Sequence, residues 1–296
     1  MNEISIKAMG KVNLGLDVLR RRPDGYHEVR MVMQSVELGD TLKLTRTEEE
    51  GISIRTNKKE LPVDEQNLVY KAIRLMQEEY GLTGGIRVRL EKQIPMAAGM
   101  GGGSADAAAA LIGMSRLFEL GLAEEKLQEL GLRLGADVPF CVSGGTALAE
   151  GIGEILTSLP KAPACYVLIA KPDIAVSTKE VYESLHAEGI VSHPDIDGMI
   201  QAIWKKNLSG VTERMENVLE SVTVKKYPVI EQLKDRMRQE GAMEAMMSGS
   251  GPTVFGIFED AVHAGEAYKE ITASGLSVQT CVTRFAETGH TVLSEG

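Results

Sequence analysis

Apolar and polar residues alternate with a period of two through the first 45 or so residues, a pattern typical of half-buried β-strands. The alternation is interrupted once by the turn signal Pro23-Asp-Gly25, which leads into Tyr26 and His27. The chain is therefore predicted to open with a run of short strands. These strands are Ile4–Ala8, Val12–Val18, Val29–Val36 and Leu42–Leu44.

Helical periodicity begins after Asn67, a good N-cap residue, and ends at Gly81, where glycine is typical of a helix C-terminus. Strand and helix patterns then alternate as far as residue 149. The predicted elements are a strand at Ile86–Leu90, a helix through Ala105–Ala110, a helix at Glu124–Leu134, and short strands at Phe140–Val142 and Thr146–Ala149. Gly135 ends the helix predicted at Glu124–Leu134 and places Asp137 on a turn.

The segment Leu159-Pro-Lys-Ala-Pro163 is typical of an interdomain link, so we predict domains at residues 1–160 and 161–296. The second half has helices segregated from a small antiparallel sheet, which indicates the α+β class. Its predicted strands are 165–170, 242–247, 254–258 and 278–284, and its predicted helices are 179–185, 196–205, 214–221, 228–239 and 264–273.

Composition narrows the class of protein. The chain has 296 residues, 43% of them hydrophobic, and a net charge of −10 that is spread along its length. This acidic balance argues against nonspecific binding to nucleic acid or to an anionic membrane. The three cysteines are far apart and no signal peptide or membrane-length apolar run is evident, so we expect a cytoplasmic protein without disulfides or a zinc site.

A glycine-rich loop, Gly99-Met-Gly-Gly-Gly-Ser104, runs directly into an alanine-rich helical segment. Glycines allow consecutive N–H groups to converge on one point, and we expect Ser104 to cap the helix behind them. The pattern indicates a phosphate cradle at a helix N-terminus. It is neither a Walker A loop, which needs a Lys, nor a dinucleotide fingerprint, and a flexible hinge is the alternative.

No Lys or Arg lies between Gln93 and Ser115, so the cradle must take positive charge from elsewhere. Lys11 interrupts an apolar strand pattern and is a candidate, although an exposed edge lysine would give the same pattern. Asp137 is a candidate general base, although turn formation is the commoner role for such an Asp.

Three segments taken together resemble the GHMP kinase superfamily. They are Gly10-Lys-Val-Asn-Leu14, the Pro95-x-x-x-Gly-Met-Gly-Gly-Gly-Ser104 segment and Ser248-Gly-Ser-Gly-Pro252. The resemblance implies two domains around an active-site cleft. The N-terminal domain would be an α/β domain like that of ribosomal protein S5, and the C-terminal domain a ferredoxin-like α+β domain.

Further segments resemble the branch of that superfamily that phosphorylates a cytidine diphosphate-linked methylerythritol. They are Arg22-Pro-Asp-Gly-Tyr-His-Glu28, Leu134-Gly-Ala-Asp-Val-Pro-Phe140 and Glu150-Gly-Ile-Gly-Glu154. The resemblance implies ATP-dependent phosphorylation of the 2-hydroxyl of this substrate, with Mg²⁺. The alternatives are a kinase for another small alcohol, of the mevalonate or homoserine type, and a catalytically silent nucleotide sensor.

The resemblance also implies roles for individual residues. Lys11 and Asp137 match the catalytic pair, and no metal ligand can be assigned. The implied ATP-binding residues are Pro95, Ala97, Ala98, Gly99, Gly101, Gly102, Gly103, Ser104 and Ala105. The implied substrate-binding residues are Asn13, Tyr26, His27, Thr178, Tyr182, Ser248 and Gly249, with Tyr26 and Tyr182 sandwiching the cytosine and His27 bonding its edge.

The chain departs from the family pattern in two places: Met9-Gly10 stands where Pro-Ala is usual, and Ala105 replaces a second serine. The first departure loosens the backbone before Lys11, and the second removes one hydroxyl. We expect a small-molecule substrate, no nucleic-acid or membrane partner, and a monomer or weak dimer.

Overall fold

The computed structural model describes all 296 residues. The first half of the chain forms one mixed sheet with helices packed on it. Its strands are β1 (Glu3–Arg21), β2 (His27–Thr47), β3 (Ile52–Thr56), β4 (Gly85–Glu91), β5 (Thr146–Glu150) and β6 (Ile155–Ser158), and its helices are α1 (Leu68–Tyr80), α2 (Gly102–Leu117), α3 (Glu124–Leu132) and α4 (Val138–Ser143).

The two long strands β1 and β2 form the centre of this sheet. They pair antiparallel over almost their whole length, with register shifts at Met9/Gly10, Asn13/Gly15 and Val18/Arg20. The short strands predicted for this region are therefore parts of two continuous ones. Bulges of this kind bend a strand and redirect its side chains. The first two bulges flank the segment that carries Lys11 and Asn13.

Helix α2 is buried along nearly its entire length, including the run from Ala105 to Ala110. It packs against α1, β1 and β2. Small side chains permit this close approach: a Cβ placed on Gly113 would lie 2.6 Å from the Leu44 side chain. Helix α1 begins and ends as predicted, because the Asn67 side chain accepts a hydrogen bond from the N–H of Val69 and Gly81 adopts a left-handed conformation.

The second half of the chain forms a four-stranded antiparallel sheet in the order β10-β7-β9-β8. Helices α9 and α10 pack against this sheet. The strands are β7 (Tyr166–Lys171), β8 (Glu244–Met247), β9 (Val254–Phe258) and β10 (Gln279–Arg284). The helices are α5 (Thr178–Ser184), a short 3-10 helix (Ala187–Gly189), α6 (Ile196–Trp204), α7 (Leu208–Thr212), α8 (Glu220–Lys226), α9 (Val229–Gln239) and α10 (Ala261–Ala273).

The last strand, β11 (His290–Glu295), leaves the second half and pairs antiparallel with β1. The C-terminal end of the chain thus completes the first sheet, which the local pattern did not indicate. The division near residue 160 stays a prediction. No helix combines the length and the apolar character that a transmembrane span requires.

Three local predictions were wrong. Residues 140–142 are helical rather than extended, because Val138 and Pro139 begin a short helix whose next three residues are all buried. The helix expected at 214–221 is not formed as predicted, because α7 ends at Thr212 and α8 begins only at Glu220. Ser104 lies inside the first turn of α2 rather than at its N-cap, a position taken by Gly101 with a left-handed backbone.

Candidate active site

A cavity of about 1110 Å³ lies between the two halves of the chain. Its walls come from the bulged part of β1, the β1–β2 turn, the glycine loop before α2, helix α5 and the turn between β8 and β9. We call this cavity the cleft. Sixteen of the eighteen predicted site residues line it: Lys11, Asn13, Tyr26, His27, Pro95, Ala97, Ala98, Gly99, Gly101, Gly102, Gly103, Ser104, Asp137, Thr178, Tyr182 and Gly249.

The glycine loop has the backbone expected of an anion cradle. Gly99 and Gly101 have φ of 75° and 66°, in the left-handed region that favours glycine. Helix α2 starts immediately afterwards at Gly102, so its free N–H groups and the positive end of its dipole face the loop. An anion such as a phosphate group is stabilised in this position.

Gly99 is also fixed by the turn between β8 and β9, residues 248–253, which we call the second glycine turn. A Cβ on Gly99 would lie only 2.0 Å from the carbonyl oxygen of Ser248. The Ser248 hydroxyl donates a hydrogen bond of 2.9 Å to the carbonyl oxygen of Gly99. Two backbone turns, one from each half of the chain, therefore pack directly against each other beside the cleft.

Two of the predicted site residues lie behind the cleft surface rather than on it. Ser248 is fully buried, and its hydroxyl is occupied by the hydrogen bond to the Gly99 carbonyl oxygen. Ala105 is buried within α2, where a second serine hydroxyl would face the protein core. We infer that these residues support the cleft through packing and backbone position.

Lys11 and Asp137, which are far apart in sequence, meet at the cleft. The Lys11 ammonium lies 3.6 Å from a carboxylate oxygen of Asp137 and donates a 2.9 Å hydrogen bond to the Asn13 side chain. The Lys11 stem packs on the glycine loop, where a Cβ on Gly101 would lie 3.1 Å from its Cγ. The Lys11 N–H also donates to the carbonyl oxygen of Met100. A buried cation is thus held beside the cradle, which has no cation of its own.

Asp137 occupies the residue before α4, but its side chain makes no cap hydrogen bond to that helix. About a third of the side chain is exposed to the cleft. The carboxylate therefore remains available to a group bound in the cleft, which is what a general base requires.

The aromatic end of the cleft is built from the β1–β2 turn and α5. His27 is buried, and its ring centroid lies 5.2 Å from that of Tyr182, with the planes tilted by 39°. Burial, together with the nearby Arg21 charge, lowers the pKa of His27, so its imidazole is neutral near pH 7. Burial likewise raises the pKa of Tyr182. Tyr26 is mostly exposed, and it is His27 rather than Tyr26 that contacts Tyr182.

A buried charge cluster beside the glycine loop was missed from the sequence. Lys92 pairs with both Asp40 and Asp106, and all three residues are buried. Asp40 also accepts hydrogen bonds from the N–H groups of Gln93 and Ile94. Lys92 lies just before the glycine-loop segment, and Asp40 and Asp106 come from β2 and α2, so no local pattern in the sequence brings the three residues together.

The cluster holds two carboxylates for one ammonium, and the Oδ1 atom of Asp106 has no hydrogen-bond partner. Burial, followed by the repulsion of Asp40, raises the pKa of Asp106 well above its ordinary range despite the attraction of Lys92. Burial lowers the pKa of Lys92, but the two carboxylates outweigh it and the net pKa is raised. Lys92 and Asp106 line the cleft beside Gly102 and Gly103.

Two family models match the chain: "GHMP kinases N terminal domain" over residues 67–145 and "GHMP kinases C terminal" over residues 199–276. With two domains facing one cleft, the fold and the glycine loop are those of a GHMP kinase. The predicted α+β fold of this superfamily is confirmed.

Relatives narrow the assignment. A 4-diphosphocytidyl-2-C-methyl-D-erythritol kinase of Lachnospira eligens is 60% identical over 88% of this chain and 90% of that protein. The kinase of the same name from Lachnoclostridium phytofermentans is 49% identical over 97% and 99%. A crystal structure of 4-(cytidine 5'-diphospho)-2C-methyl-D-erythritol kinase matches with a TM-score of 0.83 and 32% identity, covering 96% of this chain and 99% of that one. The chain belongs to the 4-diphosphocytidyl-2-C-methyl-D-erythritol kinase family.

A homoserine kinase from Cytophaga hutchinsonii has a TM-score of 0.79 at 20% identity, over 99% of this chain and 98% of that one. This likeness is one of fold. The family resemblance drawn from the motifs is confirmed by the relatives, whereas the roles of individual residues stay predictions.

The charge cluster gives a test by pH. The pKa of Asp106 is raised in the folded protein. Folding of the protein therefore becomes less favourable as the pH increases from near 3.8, the ordinary pKa of Asp, to the folded-state pKa of Asp106. Asp106→Asn removes this penalty. We expect Asp106→Asn to have a higher free energy of unfolding than the wild type at pH 8, and a smaller gain at pH 5. Urea unfolding at both pH values measures the difference.

Asp40→Asn is the matched control, because Asp40 accepts two backbone N–H groups as well as Lys92. This variant should lose stability or gain none. An Asp106→Asn gain that is the same at pH 5 and pH 8 would contradict the account of the cluster.

Proposed function

We propose that this protein transfers the γ-phosphoryl group of ATP to the 2-hydroxyl of 4-diphosphocytidyl-2-C-methyl-D-erythritol. The observation that carries the proposal is the meeting of Lys11 and Asp137, 3.6 Å apart, beside a backbone phosphate cradle. The printed names of the relatives supply the substrate, and the membership of the chain in a kinase family supplies ATP as co-substrate.

Asp137 acts as the general base in this mechanism. Its carboxylate accepts the proton of the substrate hydroxyl while the hydroxyl oxygen forms a bond to the γ-phosphorus. The bond from that phosphorus to the β–γ bridging oxygen breaks, and ADP leaves. Lys11 polarises the hydroxyl and stabilises the negative charge of the transferred group. Most of the rate gain in phosphoryl transfer comes from such positioning and electrostatic stabilisation.

The cradle from Gly99 to Ser104 binds the phosphate chain through backbone N–H groups. The apolar side chains of Leu61, Leu68 and Met96 line the cleft together with the cradle, and a Cβ on Gly103 would lie 3.5 Å from the Leu68 side chain. We place the base of ATP against these apolar side chains. Apolar walls with a few polar groups are typical of nucleotide sites.

The aromatic end holds the cytosine in this proposal. The neutral imidazole of His27 can donate through one nitrogen and accept through the other, which suits the edge of a base. Tyr26 is free to stack on the exposed face of the cytosine. Tyr182 packs against His27 and closes the wall of the site.

Mg²⁺ fits the cleft as an ion that arrives with the nucleotide. The chain has no cluster of three or more His, Cys, Asp or Glu side chains that could hold a metal ion by itself. Mg²⁺ prefers phosphate oxygens and water together with one or two protein oxygens, and when bound it neutralises charge on the β- and γ-phosphates. Ser104, at the start of α2, is the hydroxyl nearest in sequence to the glycines of the cradle.

We expect a monomer or weak dimer, with small molecules as the binding partners. The acidic net charge and the metabolic role favour the cytoplasm.

A coupled assay for ADP release tests the proposal. With ATP, Mg²⁺ and the cytidine-linked substrate, we expect turnover, and little with mevalonate or homoserine. Tyr26→Ala should raise KM for the cytidine substrate about tenfold through lost stacking, with kcat retained. Tyr268→Ala, on α10 and outside the cleft, is the matched control. Preferred turnover of mevalonate or homoserine would instead support the rival small-alcohol kinase.

Asp137→Asn separates a kinase from a silent nucleotide sensor. Loss of the base should lower kcat by about 10²–10⁴-fold, because that is the usual contribution of general-base catalysis. The dissociation constant for ATP, measured by calorimetry, should change little. Asp173→Asn, an exposed acid outside the cleft, serves as the control. Undiminished kcat in Asp137→Asn would overturn the assigned mechanism.

Nucleotide affinity should depend on Mg²⁺, since the cradle itself contains no Lys or Arg. We expect ATP to bind about tenfold or more weakly when EDTA replaces Mg²⁺, because Lys11 and Lys92, the lysines beside the cradle, are each already paired with carboxylates. Calorimetric titration in the two buffers checks this. Equal affinity would mean that protein cations suffice.

A further inference from the structure

The second glycine turn is held from behind by one buried amide side chain. Asn217 is 4% exposed and donates hydrogen bonds to the carbonyl oxygens of Met247, at 2.9 Å, and Gly249, at 2.8 Å. Its own side-chain oxygen accepts from the N–H of Leu219. The amide group thus makes three hydrogen bonds, two as a donor and one as an acceptor, and these bonds fix its orientation.

Asn217 also lies where the two halves of the chain join. Leu16 of β1 accepts from the N–H of Val218 and donates to the carbonyl oxygen of Glu216, so Asn217 pairs with Leu16 as an isolated bridge. The backbone of Asn217 is thereby anchored to the strand that carries Lys11 and Asn13. Its side chain, from the same anchored position, reaches the second glycine turn.

The two bonds that Asn217 donates determine which way a peptide group of the turn faces. The bond between Gly249 and Ser250 is trans, and in a planar trans peptide the C=O and the N–H point in opposite directions. Because the Gly249 carbonyl points at buried Asn217, the Ser250 N–H points away from it. Gly249, Ser250 and Gly251 line the cleft, and the Ser250 N–H has no acceptor within the protein.

The unused donor lies on the side of the cleft where phosphoryl transfer is proposed. A Cβ on Gly249 would be 3.3 Å from the Gly99 oxygen and 3.5 Å from the Asn13 side-chain oxygen, and Asn13 is bonded to Lys11. The hydroxyl of Ser250 is already engaged with that of Thr178 at 2.8 Å. The backbone N–H is therefore the part of Ser250 that is available to an anion.

We propose that Asn217 is a positioning residue, which holds the second glycine turn so that the Ser250 N–H donates to an oxygen of the transferred phosphoryl group. This inference rests on the proposed function, since it assigns a donor to the same reaction. A fixed backbone donor of this kind stabilises developing charge without reorganisation.

Asn217→Asp is the main test. The carboxylate keeps the oxygen that accepts from Leu219 but replaces the two donated hydrogens with a lone pair facing two carbonyl oxygens. The turn should then reorient. We expect kcat to fall by about tenfold to 10³-fold, with the dissociation constant for Mg²⁺-ATP within about threefold of wild type. Asn217→Ala should behave similarly and serves if the Asp variant does not fold.

Asn207→Ala is the matched control for a merely structural effect. Asn207 accepts from the N–H of Gly210 at the start of α7, as Asn217 accepts from Leu219, but it does not line the cleft. It should lose stability and keep kcat. If the Asn217 variants also keep kcat within about twofold, or if ATP affinity falls as much as kcat does, the positioning role is wrong.

A readout without turnover separates this inference from the proposed function. In protein labelled with ¹⁵N-serine, the Ser250 amide proton should shift downfield when Mg²⁺ and a non-hydrolysable ATP analogue are added, and should not do so in Asn217→Asp. The Ser250→Ala variant identifies the Ser250 amide resonance, because that signal is missing from its spectrum. An unmoved Ser250 signal in the wild type would overturn the inference even if the enzyme phosphorylates the cytidine substrate. A shift of the Ser250 signal in a protein that does not phosphorylate the cytidine substrate would support the inference about the N–H donor and contradict the proposed substrate.

Discussion

The contact between the two glycine turns is the constraint on which the cleft depends. Gly99 approaches Ser248 so closely that a Cβ would lie 2.0 Å from the Ser248 carbonyl oxygen, and the Ser248 hydroxyl bonds back to the Gly99 carbonyl. A side chain at residue 99 would force the two turns apart, since backbone cannot move aside as a flexible side chain can. Because one turn belongs to each half of the chain, this contact also sets the distance between the walls of the cleft.

Charge is distributed around that contact in a consistent way. The cradle offers only partial charges from N–H groups and a helix end, and Lys11 brings the one full positive charge beside it. The second ammonium near the loop, that of Lys92, is neutralised by Asp40 and Asp106. We therefore expect the phosphate groups of a bound nucleotide to lie near Lys11, whose charge is less fully compensated than that of Lys92.

Local patterns in the sequence predicted most of the helices and strands, and the motifs indicated the glycine loop and the two residues, Lys11 and Asp137, that we propose as the catalytic pair. The pairing of Lys11 with Asp137 could not follow from periodicity, because the two residues come from separate elements that meet only in the folded chain. The predicted N-cap, Ser104, lies three residues after the actual one, since a left-handed Gly101 begins the helix earlier than a serine cap would. The pattern predicts a strand at Phe140–Val142, where the structure has the helix Val138–Ser143, because a short buried apolar run fits either structure.

Two other features, the pairing of β11 and the role of Asn217, could not be predicted because they too depend on contacts between separate elements of the folded chain. β11 pairs with β1 across nearly the whole sequence, and Asn217 acts through backbone carbonyls that carry no residue-type signal. The most direct test of the account is a crystal structure with Mg²⁺ and a non-hydrolysable ATP analogue. The account predicts that the phosphate chain lies on the N–H groups of Gly99–Ser104, with the γ-phosphate beside Lys11 and Asp137. A phosphate chain bound elsewhere, or a γ-phosphate out of reach of both side chains, would contradict it.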